Sequence, residues 1–236
     1  AGVRQSVGSP FSYYDSNVLG TLNLLEFCRV SGVKKFIFAS SSSLYSNVED
    51  VPFSENANTD RTISPYAASK KAAEELCFTY HYLHGIDITI FRFFSVYGPA
   101  GRLDMSPFRF VKAIIENIPL TFYGNGTQQR DFTYVEDIVN GIVKGLKPLG
   151  YEIINLGSGK PISLKNLVSK IESIARNGAH ICYSKTDQAD ATITHACIKK
   201  AYSTIKWEPK IEIDYGLKKC VEWYQEERDW LRHLIT

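Results

Sequence analysis

The first readable period along the chain falls over residues 13–30, where Val18, Leu22, Leu25 and Phe27 recur at nearly helical spacing and Gly32 supplies a stop. That spacing lays apolar side chains along one stripe of a helix. The pattern then changes: residues 35–39 (KFIFA) form a short, almost wholly apolar run. Parallel strands covered on both faces have this look. The polar stretch 46–64 reads as a long loop, which a compact domain usually keeps for function. Ser64-Pro65 opens a second helix to about Leu83, His84-Gly85 closes it, and residues 86–94 return to an apolar strand. Tyr151–Leu156 is another apolar run, ending at Gly157-Ser158-Gly159. The order strand, loop, helix, strand predicts right-handed crossovers in an α/β, doubly wound parallel sheet. Residues 106–118 and 163–175 read as further helices, 120–126 as a strand and turn, and 215–234 as a closing helix anchored by Trp223 and Trp230.

Composition narrows the class. The 236 residues are 44% hydrophobic and 22% charged, with a net charge of +2 and the two signs interspersed. No nucleic-acid or membrane surface is expected from that. No apolar run approaches the roughly 18 residues of a membrane span. The five cysteines (Cys28, Cys77, Cys182, Cys197 and Cys220) are scattered and form no CxxC pair. Free thiols in a reducing, cytoplasmic setting are the expectation, with no metal site.

The chemistry concentrates in Tyr66 and Lys70, a Y-x-x-x-K just inside the second helix. Four-residue spacing puts both side chains on one helix face. A free tyrosine, with a pKa of about 10, is too weakly acidic to serve as a base at neutral pH, and a nearby ammonium favours its phenolate. The strand at 35–39 delivers Ser40-Ser41-Ser42-Ser43 at its C-terminal end, where open α/β sheets bind ligands. A strand-end hydroxyl, a tyrosine and a lysine are the parts of a proton relay for oxidising an alcohol.

With these motifs in place, the chain resembles the extended short-chain dehydrogenase/reductases of the NAD-dependent epimerase/dehydratase family, most closely the UDP-glucuronate 4-epimerases. The resemblance rests on AGVRQSV, DSNVLGTLNLLE, FIFASSSSLY, SPYAASKKAAEE, FRFFSVYGPAGRLDMSPFRF, QRDFTYVEDIVNGI, INLGSG and the closing VEWYQEE. It implies a partial NAD-binding Rossmann domain over 1–100 and 129–157, and a nucleotide-sugar domain over 101–128 and 158–236. It implies Tyr66 as general base, Lys70 as ligand of the nicotinamide ribose that also lowers the Tyr66 pKa, and Ser41 as hydrogen-bond partner of the reacting hydroxyl. Asn17, Ser40, Phe93 and Val96 join Tyr66 and Lys70 around the NAD cofactor. Ser41, Ser43, Ser95, Arg102, Arg130 and Asp190 contact the UDP-sugar, with Arg130 on the phosphates and Arg102 on a sugar carboxylate. A homodimer through a bundle of the two long helices is implied as well.

The serines also discriminate among reactions. Sugar-nucleotide dehydratases in the family use an Asp-Glu pair where Ser42 and Ser43 stand here, and hydroxyl groups cannot eliminate water. Epimerisation at C4 through a 4-keto sugar is therefore the expected reaction, on UDP-glucuronate/UDP-galacturonate, with a UDP-glucose/UDP-galactose-type epimerase or a dehydratase as alternatives. Departures from the family pattern are Ser46 for a loop glycine, Asp187-Gln188-Ala189-Asp190 near the phosphates, and Cys197 for an aspartate. No G-x-G-x-x-G occurs in the chain, and the resemblance implies that the strands and loop carrying it precede Ala1. Two expectations follow: an epimerase with a further N-terminal segment, or a non-catalytic family member that dimerises and at most binds a nucleotide sugar.

Overall fold

The computed structural model describes residues 2–185 and 191–234. In chain order its elements are α1 (Val3–Gly8), α2 (Pro10–Tyr14), a π-helical turn (Asp15–Leu19), α3 (Gly20–Ser31), β1 (Lys35–Ser41), a 3₁₀ turn (Ser42–Tyr45), α4 (Pro65–His84), β2 (Asp87–Phe93), β3 (Ser95–Tyr97) and α5 (Ser106–Ile115). There follow β4 (Leu120–Tyr123), β5 (Gln129–Arg130), β6 (Phe132–Tyr134), α6 (Val135–Lys144), β7 (Tyr151–Leu156), β8 (Ile162–Ser163), α7 (Leu164–Ala175), β9 (Ile181–Ser184), α8 (Lys199–Ile205), α9 (Ile213–Glu226) and α10 (Arg228–Leu231).

The central sheet is parallel, in the order β1-β2-β7, with Phe38 opposite Ile90 and Ile90 opposite Ile153. One face is covered by α3 and α4, which bury Leu25, Cys28, Ala73 and Cys77 against Phe38, Ile88 and Ile90. The other face is covered by α6 and α8, where Ile138, Ala201, Ile205 and Trp207 meet Phe91, Ile154 and Leu156. That two-sided burial explains why these strands read as unbroken apolar runs. A second core gathers α5, α7 and α9 around Phe110, Phe122, Leu167 and Leu217. Its small sheets, β3-β6, β4-β9 and β5-β8, are two-stranded.

The helix ends follow local chemistry. Ser64 caps α4 by accepting from the Ala67 amide at 3.2 Å, Pro65 occupies the first turn where its missing N–H costs nothing, and Gly85 stops the helix with φ +64°. Two details differ from the sequence expectation. The helix around 13–30 carries a π-helical turn and buries Thr21, Leu25 and Cys28, while Phe27 points outward. The closing helix is interrupted at Glu227, so Trp223 and Trp230 lie on separate helices and meet edge to face at 6.4 Å. No helix among the described residues is long and apolar enough to cross a membrane.

Candidate active site

β1 alternates its side chains across the sheet, so Ser40 and Ser41 diverge. Ser40 turns inward and donates to Glu74 Oε1 at 2.5 Å, so its hydroxyl is committed to the interior. Ser41 turns toward the N-terminus of α4. There its hydroxyl hydrogen-bonds the Tyr66 phenol, accepts from the Ser43 amide at 3.1 Å, and donates to Ser43 Oγ at 3.1 Å. Tyr66 is buried and held edge to face by the Tyr13 ring at 5.9 Å. Burial raises its pKa above the ordinary phenol value; the Ser41 hydrogen bond and the Arg102 charge pull it back down, and Tyr13 pushes it up.

Lys70 behaves otherwise than expected. Its ammonium donates to the Ala39 carbonyl at 2.9 Å and lies 4.8 Å from the Phe38 ring centre. Burial lowers the Lys70 pKa, against the opposing influence of Cys77 and Glu74. The cation that eases Tyr66 ionisation is Arg102 rather than Lys70, because Lys70 is drawn to the strand carbonyl. Asn17 sits in the π-helical turn and donates to Ser69 Oγ at 2.9 Å. It thereby ties the first helix to the Tyr-Lys helix, and is no ordinary surface residue. A π-turn placed beside a site is a common companion of function.

Ser41 and Tyr66 face a cleft of about 780 Å³, whose lining includes neither Lys70 nor Asn17. Ser41, Ser43, Tyr66, Phe93, Ser95 and Val96 line it, and so do Arg102 and Arg130. Ser95 is fixed by its amide, which donates to the Asp131 carbonyl at 2.9 Å. Arg102 reaches Asp104 through two bonds, Nε to Oδ1 at 3.0 Å and Nη2 to Oδ2 at 2.5 Å, while remaining 43% exposed. Arg130 donates to the Gln129 carbonyl at 2.8 Å. Its neighbour Asp131 is fully buried and spends its oxygens on the Ser158 amide and hydroxyl, the Gly159 amide and the Ala196 amide, at 2.6 to 3.0 Å. Asp131 therefore anchors the Gly157–Gly159 turn beneath the cleft. Asp190 lies outside the described residues.

Sequence reasoning passed over Arg4, Arg109 and Tyr123. All three line the cleft, and the Arg4 guanidinium stacks 4.0 Å from the centre of the Tyr123 ring, with Arg109 at 5.8 Å. The signal available was Arg4 itself, an arginine inside the quoted AGVRQSV stretch. Among the described residues, Arg4 and Arg109 with Arg102 and Arg130 bring four guanidinium groups and the Asp104 carboxylate to the cleft lining. Planar guanidinium forks suit diphosphates and carboxylates.

Residues 1–157 match the profile of the NAD dependent epimerase/dehydratase family. The chain is 49% identical over 235 residues to a UDP-glucuronate 4-epimerase of Thermodesulfobacterium geofontis, a match spanning 99% of this chain and 72% of that protein. Among solved structures it resembles the UDP-glucuronic acid 4-epimerase of Bacillus cereus in complex with UDP-glucuronic acid and NAD, with TM-score 0.91 and 35% identity over 96% of this chain and 73% of that one. It also resembles a UDP-glucose 4-epimerase of Thermotoga maritima with UDP-glucose, with TM-score 0.93 and 27% identity over 97% of this chain and 75% of that one. A strand-end serine against a helix-borne tyrosine, under an arginine-lined cleft in a parallel α/β sheet, thus accompanies likeness over more than half the length: the chain belongs to the NAD dependent epimerase/dehydratase family.

Proposed function

We propose that this chain carries the proton relay and the nucleotide-sugar site of an NAD-dependent 4-epimerase acting on UDP-glucuronate and UDP-galacturonate. The observation that carries the reading is the meeting of Ser41, Tyr66 and Arg102 in one arginine-lined cleft. Tyr66 accepts the proton of the C4 hydroxyl as the 4-keto sugar forms and returns it when the opposite epimer is made. Ser41 hydrogen-bonds the same hydroxyl and lowers the cost of the phenolate. Arg102, beside Tyr66 and half in solvent, is placed to bind a sugar carboxylate without leaving Asp104 far behind, which favours glucuronate over glucose. Arg130, Arg4 and Arg109 receive the diphosphate. The complex of the Bacillus cereus relative with UDP-glucuronic acid and NAD supports both ligands.

The residues present fit the nicotinamide-ribose part of NAD: the Tyr66 phenol shares the cleft lining with the half-buried apolar Phe93 and Val96, and the Lys70 ammonium lies one turn along α4 on the Ala39 carbonyl at the end of β1. Bound there, NAD supplies reversible hydride transfer at C4. The buried Cys28, Cys77 and Cys220 and the absence of any disulfide among the described residues fit a cytoplasmic setting. Pairing of two copies through α3 and α4 is supported by their exposed apolar side chains, among them Phe27, Val30, Phe78 and Tyr82.

The test is cofactor retention. Denaturing the purified protein should release NAD(H) near one equivalent per chain on chromatography. Release of none, with added NAD also failing to bind, would leave the cleft as a nucleotide-sugar site without redox chemistry.

A further inference from the structure

One buried carboxylate outside the proton relay joins several elements around it. Glu74 lies one turn beyond Lys70 on α4 and is 1% exposed. Its Oε1 accepts from Ser40 Oγ at 2.5 Å and from Arg92 Nε at 3.0 Å, and its Oε2 accepts from Arg92 Nη2 at 2.7 Å. Arg92, on β2 and as deeply buried, also donates from Nη1 to Tyr45 Oη at 2.8 Å. Tyr45 donates to Asn155 Oδ1 at 2.9 Å, and the Asn155 backbone N–H donates to Glu55 Oε1 at 2.8 Å. One set of bonds thus spans α4, β1, β2, β7 and the loop that follows β1.

Stability alone does not explain this arrangement. Desolvation largely offsets the attraction in a buried ion pair, and apolar residues of similar volume often serve as well. What a bidentate pair adds is direction. Apart from the Lys70–Ala39 bond, the rest of the seam between α4 and the sheet is apolar, Ala73 and Cys77 against Ile88 and Ile90, and dispersion contacts there set no single axial position. The Arg92 fork and the Ser40 bond are satisfied in one setting only. Ser40 is covalently next to Ser41, and Tyr66, Lys70 and Glu74 follow one another at four-residue steps along α4.

We propose that Glu74 and Arg92 are positioning residues, whose pair, clamped on Ser40, fixes the register of the Tyr-Lys helix against the serine strand and so holds Tyr66 and Ser41 in hydrogen-bond contact. The inference rests on the reading of Tyr66 as the proton acceptor. A fully satisfied buried network is suited to this role, since it specifies one packing where an apolar seam tolerates several.

The test is the double variant Glu74→Leu with Arg92→Met, which removes both charges and leaves neither unpaired. It should melt close to the parent and keep its KM for UDP-glucuronate, because the cleft arginines are untouched. Its kcat should fall by about 100-fold, the usual consequence of a misplacement near 1 Å. In protein labelled with ¹³Cζ-tyrosine, the Tyr66 resonance, assigned by its loss in Tyr66→Phe, should titrate at higher pH as the Ser41 bond is lost. Arg102 and Tyr13, the other groups acting on that phenol, remain in place. A folded double variant with parental kcat and parental Tyr66 titration would overturn the proposal. Should the double variant not fold, Arg92→Lys keeps the charge and loses the fork, and the same two readings decide. If the parent itself turns over no UDP-sugar, the functional reading fails, while the Tyr66 titration still decides the positioning role.

Discussion

In the proposed reaction Tyr66 is the residue on which the chemistry turns, and its surroundings pull in opposite directions. Burial disfavours the phenolate, while the Ser41 hydrogen bond and the Arg102 guanidinium favour it. As a base, Tyr66 must be ionised to act, so activity is lost as pH falls and regained as pH rises toward the phenol pKa. Removing a group that lowers this pKa moves the acidic limb of the profile to higher pH. A Ser41→Ala variant should therefore show both a lower kcat at neutral pH, by about 10- to 100-fold, and an acidic limb displaced upward. A pH–rate profile beside that of the parent checks this; a reduced rate with an unmoved limb would mean that Ser41 does not act through Tyr66. Sequence alone suggested Ser41 and Tyr66, which the fold brings into contact, but credited Lys70 with the electrostatic help. Residue spacing could not show that the Ala39 carbonyl captures the Lys70 ammonium, or that a loop arginine thirty-odd positions downstream comes to lie by the phenol.

The elements were legible to different degrees for physical reasons. β1, β2 and β7 announced themselves because two-sided burial makes a strand uniformly apolar, and α4 because Ser64-Pro65 and Gly85 mark its ends. The two- and three-residue strands β3, β5, β6 and β8 gave no period to read, and the helix at Val135–Lys144 was not anticipated from its sequence. Arg92 and Glu74 could have been noticed, since a charge inside the run DITIFRFF needs a buried partner. Asp131 follows Arg130 directly in QRDF, and in the fold it accepts bonds from the Gly157–Gly159 turn and from Ala196. An Asp131→Ala variant strands buried amides at once. It should lose about 3 kcal/mol of stability, seen as a fall of roughly 6–12 °C in Tm for a chain of this size. Differential scanning calorimetry reads the effect, and an unchanged Tm would show that the turn is held by other means.

At the scale of the whole molecule, the arginine-lined cleft lies against the C-terminal end of the parallel sheet, where β1 and β2 deliver Ser41 and Phe93 to it. The outer faces of α3 and α4 carry apolar side chains with no cover in one copy, Val30 at 73% and Tyr82 at 77% exposed. Sedimentation at micromolar concentration should accordingly find two copies associated, and charged substitutions at Phe27 and Tyr82 should shift the protein toward monomer; a parent that sediments as a monomer would refute the pairing. The account as a whole stands on one reaction. Incubated with UDP-glucuronate and NAD, the purified protein should form UDP-galacturonate until the two C4 epimers reach a constant ratio, and Tyr66→Phe should slow this by about 10²- to 10⁴-fold. A 4-keto-6-deoxy product, or conversion that proceeds as fast without the Tyr66 hydroxyl, would contradict it.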